Sequence, residues 1–308
     1  MNAGYDVIGE LRASPVRLDA LLGHLGYERR GDGPYAHPAG RTAIFVGGVV
    51  GPHGTRVSCA PMVRDMVDAG SALMVLGPHE LDVATGAATT ARPRELVLAG
   101  AAAPPSSPSS PEPTPDDELV AWLRTVPLWL DLPGLRVVFA CWSEFDVEQL
   151  RSDLGGNCLD ADDHLALATD GSTRTAIDTL VHGPEVVLPE RFHRVGADGV
   201  VRRTARYRWW GDGPMTLRAR ALVPAGSFDR SGRAHADLDD TPILDPMPVL
   251  FTDGAPVVVG RHWYPGAPVL RTPAVLSLDH TAQHPRQTTV YRWSGESELD
   301  PSRLVHLA

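Results

Sequence analysis

The chain has 308 residues, 43% of them hydrophobic and 21% charged, which is enough material for a sizeable core in one large domain or two small ones. A net charge of -10 argues against an extended nucleic-acid surface, and the absence of lysine removes any amine nucleophile or Schiff-base chemistry from that residue. No run of about 18 apolar residues is present, so no membrane span is expected. Three scattered cysteines, Cys59, Cys141 and Cys158, and no leader-like N-terminus point to reduced thiols and a cytoplasmic location.

The first half reads as strand, loop, helix, repeated. Residues 5–8 form a short apolar strand ending at Gly9. Ser14-Pro15 supplies a helix cap and a first-turn proline; Val16, Leu18, Leu21, Leu22 and Leu25 give an apolar face, and Gly26 a stop. A second unit has a strand at 42–46, a glycine-rich loop and a helix near 62–69. A third has a strand at 72–76 followed by Gly77-Pro78-His79-Glu80. Such alternation predicts βαβ units on a largely parallel sheet.

Residues 101–115, AAAPPSSPSSPEPTP, cannot form a packed core and read as a flexible insertion within a single domain spanning 1–308. Thr114-Pro115 is expected to cap a helix over 116–124. Further expectations are a strand at 135–141, a helical region at 162–180, and half-exposed antiparallel strands at 201–210 and 215–222. Late strands are expected at 256–259, 274–278 and 288–293.

The loops after these strands carry five short motifs in order. They are Gly9-Glu10-Leu11-Arg12-Ala13, Gly47-Gly48-Val49-Val50-Gly51-Pro52-His53, Gly77-Pro78-His79-Glu80, Phe139-Ala140-Cys141-Trp142 and Gly260-Arg261-His262-Trp263. Their order and spacing resemble the calcineurin-like metallophosphoesterases, in particular the bacterial diadenosine-tetraphosphatase and polynucleotide-phosphatase branch. That family shows GDxHG, GDxVDRG, GNHE, a strand-end HACW-like segment and a final GHYW-like segment. The resemblance implies an α/β fold, a two-sheet β-sandwich flanked by helices in α/β/β/α order, with its site at the strand ends.

It also implies a two-metal centre, for which this chain lacks most donors. Glu10 stands for the first aspartate and Arg12 for the first histidine; Gly48 replaces the bridging aspartate and Pro78 the asparagine; Phe139 and Arg261 replace later histidines. Gly48, Pro78 and Phe139 offer no donor side chain, and guanidinium cations repel a metal. No metal and no cofactor are therefore expected.

What remains by position is Glu10, Arg12, His53, His79, Glu80, Arg261 and His262 around the mouth of the site. Arg12 and Arg261, with His262, are candidates for holding an anionic small molecule through charge-assisted hydrogen bonds. The alternative for Arg12 is an internal pair with Glu10. His79 matches the histidine that assists the leaving group in the family, or else packs locally. Glu10, His79 and His53 are the candidate acid/base groups, with solvent exposure the alternative for His53. Glu80 is expected to cap the following helix. Trp142, Trp209, Trp210 and Trp263 are expected in the core or cleft wall.

Two other functions stay open: a repurposed metal-independent enzyme of a specialised biosynthetic pathway using Glu10 and His79, and a residual metal-dependent phosphoesterase. The ligand and the oligomeric state are not legible.

Overall fold

In a computed structural model, the described residues are 3–9, 11–29, 31–51, 58–86, 116–189, 192–195, 201–210, 213–222, 228–229, 238, 240–243, 254–260, 272, 274–278 and 287–307. The expected insertion at 101–115, and Glu10, His53, Arg261, His262 and Trp263, lie outside them.

In chain order, β1 (Tyr5–Ile8) leads to α1 (Pro15–Leu25), a small hairpin of β2 (Glu28–Arg29) and β3 (Tyr35–Ala36), then β4 (Thr42–Val46), α2 (Ala60–Asp68), β5 (Ala72–Val75) and α3 (Pro78–Thr85). There follow α4 (Asp117–Thr125), the hairpin β6 (Trp129–Leu132) and β7 (Leu135–Val138), and helices α5 (Glu144–Leu154), α6 (Asp162–Leu167) and α7 (Gly171–His182). Next come β8 (Glu185–Val187), β9 (Phe192–Val195), β10 (Val201–Arg202), β11 (Thr204–Tyr207), α8 (Leu217–Arg220), β12 (Ala221–Leu222) and β13 (Phe228–Asp229). The chain closes with β14 (Val257–Val259), β15 (Val275–Ser277), β16 (Thr288–Trp293), a short 3-10 turn and β17 (Leu304–Leu307).

The result is a mixed α/β molecule with two principal sheets. One has the order β17-β16-β1-β4-β5, in which β1, β4 and β5 run parallel and β16 and β17 antiparallel. The other has the order β15-β14-β7-β6, with β15, β14 and β7 parallel and β6 antiparallel.

Side chains alternate across each strand with a period of two, and the apolar residues sort accordingly. Val7, Ile44, Val46 and Val75 of the first sheet share one buried cluster with Leu135, Val137, Val258 and Leu276 of the second, so these faces meet. Ile8, Phe45 and Met74 belong to another cluster with the α1 leucines and Val63 and Met66 of α2. Val138, Val257, Val259 and Val275 lie in that same cluster with Val147 and Leu150 of α5 and Ile177 and Leu180 of α7.

α1 starts and stops as its sequence dictates. Ser14 Oγ accepts the Arg17 N–H at 3.3 Å, and Gly26 ends the helix at φ 90°. Val16 departs from expectation: it is 81% exposed, because the buried face is formed by Leu18, Leu21, Leu22 and Leu25 alone.

Other expected elements are redrawn by local capping. The strand expected at 135–141 ends at Val138, where the Ala140 N–H turns away to the Leu180 carbonyl at 2.8 Å. The helical region at 162–180 is two helices, because Asp170 caps a new start at Gly171. The strand at 201–210 is two short pieces. Residues 215–222 are not a strand: Thr216 caps one helical turn that buries Leu217 and Arg220 before β12. α4 is capped by Asp116 rather than by Thr114-Pro115. Trp142, Trp209 and Trp210 are all buried.

Candidate strand-end site

The parallel strands of both sheets end on a common edge, and glycine permits the close approach. A Cβ at Gly47 would stand 2.6 Å from the Phe139 ring, and one at Gly77 would stand 2.8 Å from it. A Cβ at Gly260 would meet Val46 at 2.7 Å, and one at Gly9 would meet Leu278 at 2.9 Å. The loops following β1, β4, β5, β7, β14 and β15 therefore crowd together. Backbone bonds tie them further: Gly260 N–H to the Phe139 carbonyl at 3.0 Å, and Ala13 N–H to the Gly48 carbonyl at 2.8 Å.

Phe139 is the apolar centre of this edge. It is 4% exposed, and its ring lies against both Gly47 and Gly77. Gly47 and Gly48 take left-handed φ values of 64° and 73°, which turn the β4 loop back under the edge.

That turn aims the N–H groups of Val49 and Val50 at one acceptor, the carboxylate of Glu80. Oε1 accepts them at 2.9 and 2.8 Å, while Oε2 accepts the Gly77 N–H at 3.1 Å. Glu80 does cap α3 as expected, but it does not line the mouth of the site: it is completely buried. Loss of hydration pushes its pKa up, against the lowering effect of the backbone N–H groups. Glu80 is thus an internal brace between two strand-end loops.

Arg12 and Ala13 occupy the other side of the mouth. They adopt consecutive left-handed conformations at φ 52° and 54°, strained for residues with a Cβ by about 1 kcal/mol each. Ala13 is buried and its N–H is used, whereas Arg12 is exposed. His79 sits half-buried in the first turn of α3, next to the Gly77 loop. The structure thus brings Arg12, His79 and Glu80 to one edge. Glu10, His53, Arg261 and His262 fall outside the described residues.

The thiols near this edge are unreactive. Burial raises Cys59 to about 12, helped by the Glu80 charge, and burial with Asp146 nearby raises Cys141 well above the ordinary thiol value. Among the described residues, no group of three His, Cys, Asp or Glu side chains could hold a metal ion, and no helix is long and apolar enough to cross a membrane.

A residue that sequence reasoning passed over is Arg17, in the first turn of α1. Its Nη1 is sealed from solvent and meets no acceptor among the described residues. The signal was available: a cation at a helix N-terminus opposes the helix dipole. The positions three and four away, Ala13, Ser14, Ala20 and Leu21, offer it no carboxylate.

A scan of protein-family models and a search of curated proteins both return no match to this chain.

Proposed function

We propose that the chain is a metallophosphoesterase-fold protein of the calcineurin-like kind that works without the two-metal centre and holds an anionic small molecule, bearing phosphate or carboxylate, at its strand ends. Arg12 is the described contact, and Arg261 is its sequence-level partner. The observation that carries the proposal is Phe139. Its ring packs onto Gly47 and Gly77 where the resemblance calls for a ligand histidine.

A two-metal centre does not fit the residues present. The position of the bridging aspartate is Gly48, that of the asparagine is Pro78, and the ring of Phe139 fills the space between the β4 and β5 loops. The buried Glu80 carboxylate already accepts backbone N–H groups through both oxygens.

The test combines metal analysis of protein purified without chelator with calorimetric titration of inorganic pyrophosphate and, separately, malonate. The expected result is saturable binding of at least one probe, weakened by Arg12→Ala, with substoichiometric divalent metal. Stoichiometric metal accompanied by hydrolysis of bis(p-nitrophenyl) phosphate would sink the proposal.

A further inference from the structure

The strained backbone at Arg12 and Ala13 is held by contacts that begin on other loops. Leu11 to Ser14 close a tight turn, in which the Ser14 N–H donates to the Leu11 carbonyl at 3.3 Å. The two central residues, Arg12 and Ala13, have φ of 52° and 54°, a left-handed pair that glycine, asparagine and aspartate ordinarily supply. Neither arginine nor alanine favours it, so it persists only because the surroundings impose it.

The decisive contact runs through one peptide unit. Ala13 N–H donates to the Gly48 carbonyl at 2.8 Å, and the N–H of that same peptide, carried by Val49, donates to Glu80 Oε1 at 2.9 Å. The unit is planar and rigid, so its two bonds are not set independently. Hydrogen bonds in such a chain also polarise one another. The Val50 N–H on Oε1 and the Gly77 N–H on Oε2 fix the carboxylate from the β4 and β5 loops. Glu80 is completely buried, so it acts on the rim through this chain and not by touching solvent or ligand itself.

We propose that Glu80 is a positioning residue of the strand-end site: by fixing the Gly48–Val49 peptide it holds the Arg12–Ala13 turn in its left-handed form and so sets the affinity for an anion at Arg12. This rests on the anion-binding function proposed above. Without the carboxylate the peptide is released, and the turn relaxes toward the right-handed backbone that arginine and alanine prefer.

Two readouts on the full chain test this in wild type, Glu80→Ala, which removes both acceptors, and Glu80→Gln, which keeps one and sets an NH2 group among the N–H donors. The first is amide hydrogen exchange resolved by NMR at Ala13, Val49 and Gly77, with Val7 and Ile44 of the central strands as references. Ala13 is expected to exchange about tenfold faster in Glu80→Ala and about threefold faster in Glu80→Gln, with smaller changes at the references. Equal acceleration at Ala13 and the references marks general destabilisation and overturns the proposal. The second is calorimetric affinity for pyrophosphate and for malonate, with each Glu80 variant alone and combined with Arg12→Ala. Glu80→Ala is expected to weaken the probe that binds by about tenfold and Glu80→Gln by about threefold, and neither to weaken it further once Arg12 is replaced. An undiminished loss on top of Arg12→Ala overturns the proposal, because Glu80 then acts by another route. Should Glu80→Ala fail to fold, Glu80→Gln decides alone: a faster Gly77 amide with Ala13 within about twofold of wild type overturns the relay. Binding in the Glu80 variants within about twofold of wild type overturns the role of Glu80 and leaves the anion-binding function standing. If wild type binds neither probe, the anion-binding function fails and the positioning role fails with it.

Discussion

The two ends of β1 handle charge in opposite ways. At its N-terminal end Asp6, fully buried, accepts Arg41 Nε at 2.9 Å, Arg292 Nε at 3.0 Å and the Tyr27 hydroxyl at 3.1 Å. Arg41 also donates to the carbonyls of Ala3, Tyr5 and Trp293. Every charge there has a partner, and the Tyr27 hydroxyl is driven far above its ordinary pKa by burial and the Asp6 charge. At the C-terminal end a phenyl ring fills the crossing of the loops, the Glu80 carboxylate is turned inward, and Arg12 is exposed. The first end is built to hold strands together. The second packs its loops around a ring and a buried brace, with an exposed guanidinium at the rim.

The largest test of the contrast is Asp6→Asn, which leaves two arginines facing a neutral amide; a loss of about 3 kcal/mol in urea unfolding is expected. A loss under about 1 kcal/mol would mean the network is not the anchor its geometry suggests. Next is Gly47→Ala. Its φ of 64° and the Phe139 ring 2.6 Å from the new Cβ predict a loss of about 2 kcal/mol in the same assay.

Glu80→Gln sharpens the view of the inner brace, with an expected loss of about 1–2 kcal/mol. Its pH dependence carries a definite sign. The Glu80 pKa is raised on folding, so the stability its proton brings is fully present below the unfolded value of 4.5 and fades as pH rises through the folded value. The stability gap between wild type and Glu80→Gln should therefore narrow from acid toward neutral pH in thermal melts. A gap that widens would mean the carboxylate is favoured in its ionised form. The smallest effect is expected for Val16→Ser. It lies on α1 beside Arg17 but is exposed, and should change stability by no more than about 0.5 kcal/mol.

The sequence was most readable where structure is local. Ser14, Pro15 and Gly26 set the bounds of α1 because a cap, a fixed φ and a left-handed stop act within one turn. The late strand at 288–293 is found as expected, because its apolar alternation is paired on both sides. The reading failed where a short polar side chain competes with the ladder. Thr216 turned an alternating stretch into a helical turn, and Asp170 split one helix into two.

The sequence by itself determined the strand–helix alternation of the first half, the glycine stop at Gly26, and the loss of donor side chains at Gly48, Pro78 and Phe139. Only the tertiary structure decided that Phe139 fills the crossing of two loops, that Glu80 faces inward, and that Arg17 Nη1 meets no acceptor among the described residues. Those outcomes depend on which groups from distant segments arrive at one place. Burial and hydrogen-bond satisfaction are properties of that assembled neighbourhood rather than of any stretch of chain.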